Sequence, residues 1–193
     1  MKCPRCFREI TAHEPRCAGC GFHIAELDAL AVPPPKRRGL LNDFAGVIEP
    51  AWTDKLQTAL ETFRADAARV LPGVEIVIVT LKTTAPLTPQ QYVFWLFNHW
   101  NIGGLRADEN RGLLLLLALD ERRVESEVGY GLEPFVSDRL TGEVLDHVVV
   151  PLLKEGSYGE AFHFGVKLLA DIVLEGLRNL KTKGGKRKGH EKS

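Results

Sequence analysis

All four cysteines of this 193-residue chain lie within its first 20 residues, where they form two CxxC pairs separated by ten residues. The first pair is Cys3 and Cys6, and the second is Cys17 and Cys20. Each CxxC turn can direct two thiolates at one point, so two turns supply the four sulfur ligands of a tetrahedral zinc ion. Gly21, directly after the second pair, allows the chain to turn sharply. The spacing therefore predicts a structural zinc site.

The same cysteines could instead form two disulfide bonds or a redox-active pair. Both alternatives are less favoured, because no export signal precedes the cysteines and no βαβ pattern surrounds either pair. So short a segment cannot bury enough apolar surface to fold alone, and bound zinc would supply the folding free energy. We expect a docking or structural role for this segment. Arg5, Arg8 and Arg16 could contact phosphate, but they are equally compatible with ordinary solvated surface.

A second group of side chains that could do chemistry lies in the middle of the chain, from Asp108 to Glu133. The pattern indicates a polar loop, a buried strand, a tight turn, a half-buried strand and a second polar loop over residues 129–133. If the two strands pair as a hairpin, the loops emerge at the same end of the sheet. Loops carried by a rigid scaffold commonly form binding sites. This end of the sheet is therefore a candidate site.

The elements that would position these loops alternate between strands and helices. The predicted order is a helix from about Pro50 to Leu71, a strand Val74–Leu81, a helix from Thr88 to about Trp100 and a strand Leu113–Leu119. A return strand follows, with Val124, Ser126, Val128 and Tyr130 on one face and Arg123, Glu125 and Glu127 on the other. The last two elements are a helix Val136–Val150, ended by Pro151, and a helix from Tyr158 to about Leu177. This alternation predicts an α/β fold, an αβα sandwich with a mixed sheet of about four strands.

Composition sets the wider organisation. The formal net charge is zero and 45% of residues are hydrophobic, so no global property favours nucleic acid or membrane. We expect a zinc ribbon over residues 1–24, a Pro-rich linker over 25–39, the α/β domain over 40–178 and a disordered basic tail over 179–193.

The longest apolar run, Leu113 to Leu119, is too short to span a bilayer. Without a visible signal peptide, we expect a cytoplasmic protein.

Five short motifs occur in an order that resembles the TPM-domain family of thylakoid acid phosphatases and photosystem-repair proteins. They are Leu41–Ile48 (LNDFAGVI), Leu96–Gly103 (LFNHWNIG), Asn110–Leu115 (NRGLLL), Val128–Glu133 (VGYGLE) and the spaced residues Pro151, Gly156 and Tyr158. Together they cover about residues 40–177. The N-terminal segment is similar to the short zinc ribbons of many bacterial proteins, which favours a bacterial origin.

The resemblance implies an αβα sandwich with a calcium or similar divalent-metal site in polar loops at one end. Such ions prefer six to eight oxygen ligands. On this basis we expect Asp43, Asn110 and Glu133 to converge, with Asp108 or Asp138 completing a site for Ca²⁺ or Mg²⁺. The alternatives are that Asp138 favours a helix N-terminus, that Glu133 caps the following helix and that Asp108 serves loop solubility.

Two functions follow from the resemblance. We expect a divalent-metal-binding interaction or assembly module tethered to a zinc ribbon, since no side-chain nucleophile stands out. The alternative is a metal-dependent acid phosphatase that hydrolyses phosphomonoesters with a metal-activated water. A protein partner would bind through the ribbon or the sheet-end loops. Nucleic-acid binding is disfavoured, because the main domain shows no basic stripe with interleaved aromatics. A peripheral membrane contact stays open.

Overall fold

The computed structural model describes residues 1–10, 16–104 and 109–187. Its elements are α1 (Ala25–Asp28), β1 (Leu41–Asp43), α2 (Pro50–Ala68), β2 (Glu75–Leu81), α3 (Pro89–His99), β3 (Gly112–Ala118), β4 (Arg123–Val128), α4 (Asp138–Val144), a π-helical turn (Leu145–Val149), α5 (Val150–Lys154) and α6 (Tyr158–Arg187). None of the helices in the described ranges has the length and apolarity that crossing a bilayer requires.

The four strands form one mixed sheet in the order β1-β2-β3-β4. Strands β1, β2 and β3 are parallel, and β4 returns antiparallel to β3. Every residue of β3 is buried, as is every residue of β2 after Glu75, because helices cover both faces of the sheet. The predicted αβα sandwich with four strands is confirmed, and β4 lies at the sheet edge as its alternating pattern suggests.

The helices pack as the hydrophobic pattern requires. Helix α2 packs on β1 and β2, α3 packs on β3 and β4, and α6 packs on α2. Helix α3 begins where predicted, because the Thr88 hydroxyl accepts a hydrogen bond from the backbone N–H of Gln91 while the Gln91 side chain accepts one from the Thr88 N–H. Pro89 follows at the first helical position, where a missing N–H costs nothing.

The hairpin formed by β3 and β4 brings its two flanking loops together, as predicted. The Gly131 N–H donates to the Asn110 carbonyl over 3.1 Å, and the Gly129 N–H donates to the Gly112 carbonyl over 2.9 Å. A Cβ atom on Gly129 would lie 2.0 Å from the Asn110 carbonyl oxygen. The glycines of this loop therefore allow backbone to pack directly on backbone.

The segment after the hairpin differs from the prediction, because Pro151 does not end a helix. Residues Asp138–Val144 form α4, a π-helical turn follows, and Pro151 lies in the first turn of α5, which continues to Lys154. A proline in a first turn lacks only an N–H that has no helical partner there. The π-helical turn changes the hydrogen-bond pattern just before the proline, so the chain continues as a helix.

Two other boundaries differ from those predicted. Helix α6 extends to Arg187 rather than about Leu177, so residues 179–187, expected in the disordered tail, are helical. Helix extension adds one hydrogen bond for each residue fixed, which favours continuation of a helix already nucleated by packing. Helix α1 lies inside the segment predicted as a linker. The remaining Pro-rich residues form neither helix nor strand.

Candidate functional site

The four cysteine sulfurs lie together in the geometry of a metal site. The Sγ atoms of Cys3 and Cys20 are 3.6 Å apart, as are those of Cys6 and Cys17, and all four lie within 4.8 Å of one another. A disulfide bond needs about 2.05 Å between sulfurs. Tetrahedral zinc, with Zn–S bonds of about 2.3 Å, needs sulfurs about 3.8 Å apart. The cluster therefore fits a metal ion such as zinc, and all four cysteines are free thiols.

The two CxxC turns have the same backbone hydrogen bonds. In the first, Cys3 N donates to Arg8 O and Phe7 N donates to Cys3 O. In the second, Cys17 N donates to Phe22 O and Gly21 N donates to Cys17 O. Phe7 and Gly21 are thus equivalent positions, and both have a left-handed backbone, with φ of 62° and 72°. The expected turn at Gly21 is present, and a phenylalanine occupies the matching position of the first turn.

The ribbon packs against the main domain instead of standing apart from it. Phe22 contacts Phe94 of α3 edge to face, with ring centroids 6.0 Å apart. Just beyond the ribbon, the Asp28 carboxylate accepts a hydrogen bond of 2.8 Å from the Trp95 indole N–H. The α-ammonium group of Met1 contacts the Glu133 carboxylate at the loop end of β4. The ribbon therefore spans from α3 to the free edge of the sheet.

A cleft of about 540 Å³ lies where the ribbon meets this edge. One wall belongs to the ribbon and includes Lys2 and Phe7. The other wall consists of residues 122–127 of the hairpin and one side of α4 and α5. We call this space the ribbon–edge cleft. Its two walls come from parts of the chain that are distant in sequence, so no local motif indicates it.

Glu127 is the most unusual side chain of the ribbon–edge cleft. It is only 8% exposed, although the strand pattern predicts that it shares a polar face with Arg123 and Glu125. Among the described residues it has no hydrogen-bond or ion-pair partner. Burial, followed by the nearby Asp138 and Glu133 carboxylates, raises the pKa of Glu127 well above its usual range, and the Met1 α-ammonium opposes this only in part. Glu127 is a candidate functional residue that the sequence pattern alone does not reveal.

Asp43 lies at the other end of the sheet from the polar loops. It pairs with Thr80 at the carboxyl end of β2, whereas Gly112 of the loop end pairs with Glu75. Five strand residues, or roughly 16 Å, separate these positions. The Asp43 carboxylate accepts hydrogen bonds from the backbone N–H groups of Val47 (3.1 Å) and Ile48 (3.0 Å) and from the Thr80 hydroxyl. The expected convergence of Asp43 with Asn110 and Glu133 is therefore wrong, because parallel strands place their carboxyl and amino ends on opposite sides.

The other predicted metal ligands have their own places. Asn110 and Glu133 lie in the two packed loops, and Glu133 contacts the Met1 α-ammonium. Asp138 is the first residue of α4, and its carboxylate lies 3.7 Å from Lys2 Nζ. Asp108 lies outside the described residues. Within those residues, the four cysteines are the only group of three or more Cys, His, Asp or Glu ligand atoms close enough to share one ion. The divalent-ion site in these loops stays a prediction.

Replacing Asp43 tests whether it has a structural role. In Asp43→Asn one of the two backbone donors faces an amide N–H₂, so we expect the free energy of unfolding to fall by about 1–3 kcal/mol. Urea denaturation measures this, with the exposed Asp54→Asn as a control that changes stability by less than about 0.5 kcal/mol. Unchanged stability together with loss of a calcium-induced thermal shift would instead support the shared metal site.

Replacing Glu127 should change how stability depends on pH. Between the usual glutamate pKa and its raised value, the native state keeps a proton that the unfolded state loses, so stability falls as pH rises through this window. Glu127→Gln removes that loss. We expect the stability of the variant relative to the wild type to increase as pH rises above the usual glutamate pKa, by about 1.4 kcal/mol for each pKa unit of the shift. Urea denaturation across this range measures the gain. Parallel curves for the two proteins, like those expected for the exposed Glu143→Gln, would contradict the assignment.

The fold and the cysteine cluster define an αβα domain preceded by a ribbon whose four cysteines fit a metal ion. A family model described as the TPM domain matches residues 41–172. This is more than half of the chain, and the chain belongs to the TPM-domain family. No curated protein matches the chain.

Solved structures support the same fold. The N-terminal domain of a protein from P. gingivalis, determined by solution NMR, is 29% identical with a TM-score of 0.60, and the match covers 72% of this chain and 84% of that one. The N-terminal domain of the cg2496 protein from Corynebacterium glutamicum is 18% identical with a TM-score of 0.52, covering 76% and 84%. The BA42 protein from Bizionia argentinensis is 13% identical with a TM-score of 0.53, covering 67% and 83%. The last two similarities show the fold alone.

Proposed function

We propose that this chain is a protein-interaction module in which a zinc-stabilised ribbon and a TPM domain together bind one partner. The observation that carries the proposal is the ribbon–edge cleft, because Lys2, Pro4 and Phe7 of the ribbon face β4 and α4 across it. A ribbon with a purely structural role would not need to form one wall of an open cleft. The fit of the four sulfurs to zinc supports a ribbon rigid enough to hold that wall.

Phe7 gives independent support. Its side chain is 59% exposed, and its left-handed φ is one that a residue with a Cβ adopts at a cost of about 1–2 kcal/mol. Gly21 meets the same requirement in the second turn without that cost. An exposed aromatic side chain in a strained conformation is typical of a position kept for contact with a partner.

The acid phosphatase alternative has less support from the described residues. A metal-activated water needs an ion held by several hard ligands. The described carboxylates do not gather at one point, and Asp43 is engaged by backbone donors at the far end of the sheet. Hydrolysis of p-nitrophenyl phosphate that depends on added Ca²⁺ or Mg²⁺ would restore the alternative. We expect no turnover above the rate without protein.

Site-specific photo-crosslinking in cells tests the interaction module. A photoreactive phenylalanine analogue replaces Gln90, which lines the ribbon–edge cleft, and a matched control places it at Phe164, an exposed position on α6. We expect one defined protein adduct from position 90 and none of the same mass from position 164. The adduct should disappear when Cys17→Ser disrupts the ribbon.

Phe7→Gly separates contact from stability in the same experiment. We expect this variant to stabilise the ribbon by about 1 kcal/mol, because glycine adopts the left-handed conformation without strain. The position-90 adduct should nevertheless decrease several-fold, since the exposed ring is lost. An adduct that persists at full yield in both Phe7→Gly and Cys17→Ser would show that the ribbon takes no part in binding.

A further inference from the structure

The outer side of β4 presents backbone groups that no other strand pairs. Gly129 N donates to Gly112 O, so in an antiparallel ladder every second residue of β4 from there faces β3. The residues between, Val124 and Ser126, therefore direct their N–H and C=O groups away from the sheet. No backbone hydrogen bond from the described part of the chain reaches these groups outside the ladder.

The ribbon–edge cleft runs along this open edge. Six consecutive residues, Arg122–Glu127, line it, a length of about 20 Å in a strand. The helical segment from Asp138 through Asp146 to Lys154 belongs to the same wall, and the ribbon residues Lys2, Pro4 and Phe7 form the other wall. Strand backbone therefore lies along one side of the cleft. A strand edge of this length suits a chain in extended conformation.

The charged residues of the cleft are mostly paired, and Glu127 is the exception. At the loop end of β4, Asp138 lies 3.7 Å from Lys2 Nζ, whereas Glu127 is buried and has no hydrogen-bond or ion-pair partner among the described residues. At the hairpin-turn end, Arg123 pairs with Glu125, and Arg122 and Lys154 are also cationic. A ligand that complements the cleft therefore needs a positive group near Glu127 and a negative group near Arg122.

We propose that the ribbon–edge cleft binds an extended peptide segment, which adds to β4 as a fifth strand and places a lysine or arginine side chain against Glu127. This inference rests on the proposed interaction function and names the kind of partner. Main-chain hydrogen bonds to Val124 and Ser126 provide affinity in such edge addition, and side-chain pockets provide specificity. A cationic side chain lowers the cost of ionising Glu127, which gives up its proton to solvent, and the resulting carboxylate accepts a charge-assisted hydrogen bond.

A single basic side chain suits this site better than a divalent metal ion. Calcium takes six to eight oxygen ligands within about 2.6 Å. Glu127, Glu133 and Asp138 are not close enough to one another to share an ion among the described residues. One ammonium or guanidinium group needs only one carboxylate in reach, and an extended strand delivers it at a fixed position along the edge.

A double-mutant cycle between protein and peptide tests the charge contact. The probe is a fluorescein-labelled nine-residue peptide of alternating threonine and valine, with a lysine near one end and a glutamate near the other. Its twin carries glutamine in place of lysine. With the zinc-loaded full chain, we expect the lysine peptide to bind at least tenfold more tightly than its twin. With Glu127→Gln the preference should fall below twofold, and with the exposed Glu143→Gln it should stay as in the wild type.

Ser126→Pro tests strand addition separately. Proline is tolerated on an edge strand where its missing N–H faces outward, so pairing with β3 is kept. The outward donor is removed and the ring blocks the added strand. We expect no measurable peptide binding by this variant, with circular dichroism and thermal melting close to the wild type.

Hydrogen exchange on the wild-type chain gives a second measurement if Ser126→Pro fails to fold. On peptide addition, the amides of Val124 and Ser126 should exchange at least tenfold more slowly. The amides of Arg123, Glu125 and Glu127 already pair with β3, so their exchange should change little. Unchanged exchange at Val124 and Ser126 with saturating peptide would overturn strand addition.

Two further results would overturn the inference: equal binding of the two peptides by the wild type, or displacement of the lysine peptide by calcium alone. The inference and the proposed function can fail separately. A zinc-dependent adduct at position 90 without peptide binding would leave the interaction module in place and remove only its peptide ligand.

Discussion

Loss of the metal is expected to unfold the ribbon while the sheet stays folded. Structural zinc contributes an apparent 10–16 kcal/mol to domains of this size, and the ribbon has little other apolar core. Its buried residues include Cys3, Cys17 and Phe22. They stay buried only while the metal holds the two CxxC turns together. Zinc removal by a chelator, or the substitution Cys17→Ser, should therefore release the whole segment from α3.

Metal analysis and hydrogen exchange check this prediction. We expect one zinc per reduced chain, and none firmly bound in Cys17→Ser. The amides of Phe7 and Gly21, which are hydrogen-bonded inside the two turns, should lose protection, while the amides of β2 and β3 keep theirs. The control is Ala18→Ser, a change at an exposed position of the same turn. Less than one zinc in wild-type protein, or equal loss of protection in β3, would contradict the prediction.

Gly129→Ala is expected to have the second-largest effect. The added Cβ would lie 2.0 Å from the Asn110 carbonyl oxygen and 2.9 Å from the Phe97 ring. The carbonyl belongs to the backbone, so relief requires the two sheet-end loops to separate. We expect a loss of about 4 kcal/mol or more in the free energy of unfolding, which is exceptional for a single methyl group.

Gly142→Ala is the matched control for that substitution. Gly142 lies in α4, and a Cβ there meets no atom within 4 Å. Alanine in a helix is more favourable than glycine, so the control should gain about 0.5–1 kcal/mol. Urea denaturation of both variants decides the comparison. A small effect of Gly129→Ala would show that the two loops do not pack as closely as described.

The elements of the fold follow from local pattern, whereas the cleft does not. Thr88 caps the N-terminus of α3 and Pro89 occupies its first position, so contacts within one turn specify where the helix starts. The apolar run of β3 specifies a strand that is buried on both faces. Two features differ from what the pattern predicts. Pro151 is predicted to end a helix, but a π-helical turn precedes it and the chain continues as α5. The burial of Glu127 depends on a helix and a ribbon that meet β4 from distant parts of the sequence.

The candidate site was predictable to a similar degree. The spacing of the four cysteines is enough to predict that their sulfurs meet at one point, and the structure confirms this cluster. Asp43 lies in a motif typical of the family, and position in a motif does not say at which end of a strand a residue lies. Strand direction decides that, and it places Asp43 away from Asn110 and Glu133.

The charges along β4 have a consequence for solubility. An open sheet edge is a template on which identical chains can stack and aggregate. If the β4 strands of two copies paired antiparallel about Ser126, Glu125 of each chain would face Glu127 of the other. A second acid there would disfavour ionisation of Glu127 further, whereas a basic residue opposite it would not. We therefore expect β4 to pair with a basic segment in preference to a second copy of itself.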